Sequence, residues 1–98
     1  MKSAEEIIKS IEKLYEYKDA YGLTKISCVR NACRLNERLI EDELAEELES
    51  NGIDAVVDLI ETEARKTYDS IDYYVYVVHV TWIENGKLRT DYIITEDV

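Results

Sequence analysis

Two apolar runs that meet at Asn85-Gly86 constrain this chain more than any other feature. From Ile71 to Ile83 the chain carries Tyr73, Tyr74, Val75, Tyr76, Val77, Val78, Val80 and Trp82, the aromatic and β-branched types that suit a pleated surface. Asn-Gly supplies the positive φ angles that a type I′ turn needs at both central residues. The pattern predicts an antiparallel β-hairpin with strands at about 71–83 and 87–96. A two-residue loop also fixes the register. Glu84 is expected opposite Lys87, Ile83 opposite Leu88, Trp82 opposite Arg89, Val80 opposite Asp91, His79 opposite Tyr92 and Val77 opposite Ile94. Two strands alone are marginal in water, so the first seventy residues must supply their cover.

Those residues read as three helices, at about 3–21, 25–50 and 54–69. Ser3 and Glu6 form a capping box, and Ile7, Ile8, Ile11, Leu14 and Tyr15 follow at helical spacing, with Gly22 as the stop. Thr24 can cap the second helix, which Asn51-Gly52 would end. Its apolar residues fall on two faces, Ile26, Val29, Cys33, Ile40, Leu44 and Leu48 on one and Cys28, Ala32, Leu35 and Leu39 on the other, as a helix packed on two sides requires. A short strand over about 24–29 is the competing reading, because Ile26 and Cys28 alternate with Lys25 and Ser27. The third helix, capped by Asp54, would turn Val56, Val57, Ile60 and Ala64 inward. The expectation is therefore one α+β domain over residues 1–98, three helices packed on a C-terminal hairpin.

A chain of 98 residues with 46% hydrophobic and 35% charged residues suits a globular core. There is no basic-then-apolar leader and no apolar run near the ~20 residues that span a bilayer. Cys28 and Cys33 sit five apart, which on a helix points them away from each other and matches no C-x-x-C site. These features lead to the expectation of a cytoplasmic protein. The net charge of −10 is concentrated in residues 41–70, where eleven acids face only Arg65 and Lys66. Affinity for nucleic acid comes from Lys and Arg, so direct binding to DNA or RNA is not expected. A winged helix-turn-helix has the same element order, but its reading helix would here be acidic.

The acids themselves are candidate partner-binding residues: Glu41, Asp42, Glu43, Glu46, Glu47, Glu49, Asp54, Asp58 and Glu61. Around a helix they spread over the exposed arc instead of converging, and nothing resembles a calcium loop, so neither a metal nor any other cofactor is expected. Arg30, Arg34 and Arg38 recur every fourth residue. Basic residues early and acidic ones late oppose the helix macrodipole, a conflict that ion pairs such as Arg38–Asp42 and Arg34–Glu37 could offset. Glu37 falls on the apolar arc of that helix and would need an arginine partner.

His79, the single histidine, has no evident nucleophile and base around it, so no catalytic residues are assigned and no enzymatic activity is expected. Both faces of the strand from Tyr73 to Ile83 are apolar, whereas its partner strand offers Arg89, Asp91 and Thr95 on one face for solvent. Self-association through Tyr73, Tyr74, Tyr76, Val78, Val80 and Trp82, giving a homodimer, would complete the cover. Function is thus expected to be non-enzymatic protein binding. In its sharper form the chain is an acidic inhibitor, of the phage or mobile-element type, occupying a basic nucleic-acid-binding surface of a partner. The alternatives are a self-associating regulatory domain and a ligand-binding domain with Tyr73, His79 and Tyr92 around a pocket.

Overall fold

A strand that is apolar on both faces needs neighbours at both edges, and the chain provides them. The computed structural model describes residues 1–33, 36–68 and 71–97, and the side chains of residues 1–30, 36–60 and 75–96. Its elements run α1 (Ala4–Leu14), β1 (Glu16–Lys18), β2 (Thr24–Ile26), β3 (Val29–Cys33), β4 (Asn36–Leu39), α2 (Ile40–Ser50), β5 (Ala55–Tyr68), β6 (Ile71–Glu84) and β7 (Lys87–Asp97). β5, β6 and β7 form one antiparallel sheet with β6 in the middle, while β1–β2 and β3–β4 are separate two-stranded ladders.

The hairpin lies where local chemistry puts it. Asn85 has φ 51° and Gly86 φ 76°, and the pairs run from Glu84 opposite Lys87 through His79 opposite Tyr92 to Val77 opposite Ile94. Ser3 caps α1, accepting a hydrogen bond from the Glu6 backbone N–H at 3.2 Å.

The expectation of three helices on a hairpin is overturned: the described residues hold two helices and seven strands. The first helix stops at Leu14, and the chain turns back as the β1–β2 ladder. Gly22, at φ 78°, serves the turn of that ladder, where the Asp19 carboxylate accepts hydrogen bonds from the Tyr21 and Leu23 N–H groups, both at 2.9 Å. Among the described residues of 25–50 only Ile40–Ser50 is helical, so the strand reading near Thr24 was the better one, and Glu37 is exposed on β4. Starting the helix at Ile40 removes the conflict with the macrodipole: Glu41, Asp42 and Glu43 now occupy its first turn, where negative charge is favourable. Arg30 and Arg38 sit on strands and reach the helix from outside. The third helix is replaced by β5, which pairs along β6 with Ala55 opposite Trp82, Val57 opposite Val80 and Leu59 opposite Val78. Its apolar residues lie on both faces of a strand, and such a run also matches a helical stripe.

Both helices pack on one face of the sheet. Ile7, Ile8, Ile11 and Tyr15 of the α1 region, with Ile40, Leu44 and Leu48 of α2, close over Val78, Val80, Trp82 and Ile93 in one cluster. Thr95 is fully buried in the same face and donates its hydroxyl to the Tyr76 carbonyl at 3.1 Å. The face with Arg89, Asp91 and Thr95, expected to meet solvent, is therefore the covered one. Arg89 lies at its margin, 3.0 Å from Glu5 on α1. Asn51 and Gly52, the latter at φ 71°, end α2 as the sequence suggests.

Leu44 is fully buried at the centre of α2. Leu44→Ala should cost about 2–5 kcal/mol in a urea melt, against under ~0.5 kcal/mol for the same change at an exposed site.

Candidate functional site

With both helices on one side, no described element covers the other side of the β5–β6–β7 sheet, which is left bare. Alternation along the strands places Val56, Asp58 and Ile60 of β5, Val77, His79, Thr81 and Ile83 of β6, and Leu88, Thr90, Tyr92 and Ile94 of β7 on this face. The register sets them in rows: Ile60, Val77 and Ile94; Asp58, His79 and Tyr92; Val56, Thr81 and Thr90. Six large apolar or aromatic residues here are about half exposed or more, from Ile60 at 49% to Leu88 at 74%. Contiguous apolar area of this kind is a mark of an interaction surface.

The middle of the face is ordered by contacts of its own. The Tyr92 ring stacks on His79 with centroids 5.3 Å apart, and His79 Nε2 shares a hydrogen bond with the Thr90 hydroxyl at 2.5 Å. A hydroxyl beside an imidazole resembles part of a catalytic pair, but this one lies on an exposed sheet surface, and the hollow beside Leu48 and Ile53 is lined by neither residue. What the contacts do is fix a half-exposed tyrosine in one orientation.

The predicted site residues fall in several places. Val78, Val80 and Trp82, proposed for self-association, are buried beneath the chain's own helices, which provide the cover a second copy was expected to give. Tyr76 is half-buried, and the side chains of Tyr73, Tyr74 and Glu61 lie outside those described. Missing from the prediction were Val56, Ile60, Ile83, Leu88 and Ile94. The alternation of Leu88, Tyr92 and Ile94 was a signal for them, overridden by the assumption that the charged side of β7 faced water.

The acids do not act as one block. Glu43 is half-buried, and its carboxylate accepts hydrogen bonds from Tyr15 Oη at 2.5 Å and from Arg30 Nε at 3.0 Å and Nη2 at 2.5 Å. The Arg30 guanidinium also lies 5.6 Å from the Tyr15 ring centroid. Glu46 pairs with Arg38 at 2.8 Å, in place of the expected Arg38–Asp42 pair. The expected Arg34–Glu37 pair involves Arg34, outside the described residues. Glu41 turns one carboxylate oxygen, Oε2, into the interior, with no hydrogen-bond partner among the described residues. Asp42, Glu49 and Asp54 are exposed and Glu47 is half-buried, while Asp58 belongs to the bare sheet face. Glu49 and Asp54 flank a depression of about 430 Å³ floored by Ala45, Leu48, Ile53 and Ala55. No tyrosine lines it. His79 and Tyr92 of the expected ligand pocket instead stack on the open face.

Among the described residues no group of His, Cys, Asp and Glu is arranged to hold a metal ion, and no helix is long and apolar enough to cross a membrane. Comparison with known protein families, curated proteins and solved structures gives no match, so function has to be argued from the chain's own residues.

The Glu43 cluster makes stability depend on acidity. Hydrogen bonding from Arg30 lowers the Glu43 pKa from its usual 4.5, against the opposing effect of burial. Burial, then the bond to Glu43, pushes the Tyr15 hydroxyl above its usual range, and the bond to Glu43 raises Arg30 further, so Arg30 stays charged throughout. A carboxyl with a lower pKa in the folded state contributes fully above its unfolded value and loses that contribution as pH falls through the folded one. Glu43→Gln should cost about 1–3 kcal/mol at neutral pH. In melts at stepped pH, that gap should narrow as the solution falls below 4.5.

Proposed function

We propose that this chain is a non-enzymatic protein-binding module whose contact surface is the bare face of the β5–β6–β7 sheet. The observation that carries this reading is the exposure of Val56, Ile60, Ile83, Leu88, Tyr92 and Ile94 together on a face that neither helix covers. A monomeric protein rarely leaves a patch larger than a few hundred Å² exposed without using it. Tyr92 supplies the kind of anchor that dominates interface energetics, since its ring is already oriented by His79 and little rotamer freedom remains to be lost.

A second reading, the acidic inhibitor of a basic nucleic-acid-binding surface, draws on Asp42, Glu47, Glu49 and Asp54, none of which has an ion-pair partner among the described residues. The depression between Glu49 and Asp54 has an apolar floor and an acidic rim, which suits the stem and head of a lysine or arginine. Glu43 and Glu46 drop out of that surface because they are engaged within the chain. We place the protein in the cytoplasm on its cysteines. Cys28 and Cys33 are five residues apart on largely extended chain, on the order of 15 Å, too far to bridge each other.

The two readings separate by mutation. Val56→Lys with Ile94→Lys adds charge to the sheet face at exposed positions and should leave the melting temperature within the change expected of about 0.5 kcal/mol. Affinity capture from the source cell should then lose its specific proteins. Capture that survives this double variant but fails when Asp42, Glu47, Glu49 and Asp54 are all changed to Lys would move the function to the acidic side. In that case the captured proteins should be basic and should be released by salt.

A further inference from the structure

We infer that the occupant of the bare sheet face is a second copy of this chain, packed face to face about a two-fold axis. The inference rests on the reading that this face is the contact surface, and it names the partner. Charge is the first argument. The chain carries a net −10, yet among the described side chains this face has only two carboxylates, Asp58 and Glu96. Glu96 is paired with Lys25 at 2.8 Å, and Asp58 stands on β5, an edge strand, where a rim residue keeps its water. A partner attracted by the acidity of this protein would gain nothing from docking here. A surface that must meet its own copy has to be free of like charge, and this face is close to that condition.

The geometry deals with the remaining repulsion. The exposed acids of α2 lie on the helix layer, on the far side of the sheet from this face. Sheets packed face to face sit about 10 Å apart, and a helix layer adds roughly 10 Å on each outer side. The two acidic helices would thus stand about 30 Å apart, well beyond a Debye length of about 8 Å at physiological salt.

Area is the second argument. The six residues exposed by about half or more contribute on the order of 100 Å² each, and their half-exposed neighbours bring the face towards the ~800 Å² per partner of a standard interface. A two-fold operation closes such a face on itself, so that nothing apolar is left at its centre and no open filament results. Residues such as Ile94 and Leu88 would then pack between those of the other copy, as the inner faces of a β-sandwich do.

Sedimentation of the full chain from about 0.1 to 100 μM tests this over the affinity range such an interface supports. The expected result is a particle of twice the 11.4 kDa chain mass at the upper end. Ile94→Lys should weaken association by about thirtyfold or more, the size of a hot-spot loss. Leu23→Lys, at an exposed site on the β1–β2 turn, should leave it unchanged. Should Ile94→Lys fail to fold, Leu88→Gln at the most exposed position of the face carries the same expectation. A wild-type monomer at 100 μM overturns the inference, and so does a dimer indifferent to both face substitutions. A monomer whose capture of another protein is abolished by Ile94→Lys defeats the second copy alone and leaves the face as the binding surface. If neither mass nor capture responds to the face variants, the proposed function fails with it.

Discussion

The constraint on which this structure depends is that β6 is apolar on both faces and belongs in the middle of a sheet. A strand of that kind requires a neighbour at each edge and a layer on each side. The chain meets three of these four needs: β5 and β7 take the edges, and α1 with α2 take one face. No described element remains for the fourth. Everything that distinguishes the molecule follows from that shortfall, including the rows of Ile60, Val77 and Ile94 or of Asp58, His79 and Tyr92 that meet water on the uncovered side.

Legibility from the sequence tracks how local each interaction is. The hairpin register was readable because two residues, Asn85 and Gly86, decide it through their own backbone angles. The start of α1 was readable because Ser3 and Glu6 settle it within one turn. β5 was not, because what makes Ala55–Tyr68 a strand is the edge of β6, and a run apolar on both faces satisfies a helical period as well as an alternating one. For residues 25–50 a warning was present. Arginines ahead of acids oppose a helix dipole, and taking that conflict as evidence against a continuous helix would have placed the boundary near Ile40. Val78, Val80 and Trp82, read from the sequence as available for self-association, lie on the covered face. Arg89 and Asp91 looked like solvent markers, whereas Arg89 closes the margin of the core by reaching Glu5.

The Tyr15–Arg30–Glu43 cluster shows why an acidic run cannot be read as a surface from sequence alone. Glu43 joins the end of α1, strand β3 and helix α2 through two partners far from it in the chain. A bidentate arginine bond and a buried tyrosine hydroxyl give the carboxylate a structural role. Lys25–Glu96 acts similarly, fastening the β1–β2 ladder to β7, where the Tyr17 hydroxyl also donates to the Glu96 carbonyl. The β1–β2 ladder is thereby tied to the main sheet by polar contacts in addition to the packing of Ile26 against the core, while the β3–β4 ladder is bonded to α2 through Arg30 and Arg38.

Segregation of charge from apolar surface is the last consequence. Long-range attraction between charges raises encounter rates but adds little to the lifetime of a complex, whereas an aromatic side chain that becomes buried at an interface slows dissociation. The acids of α2 and the bare face of the sheet are on opposite sides, so one partner of ordinary size could not use both at once. If the sheet face is closed by a second copy, both acidic helices remain outermost and free. Each dimer then offers two equivalent acidic surfaces related by the two-fold axis. Such a particle favours a partner that repeats, because two weak electrostatic contacts at fixed spacing bind far more tightly than either one alone.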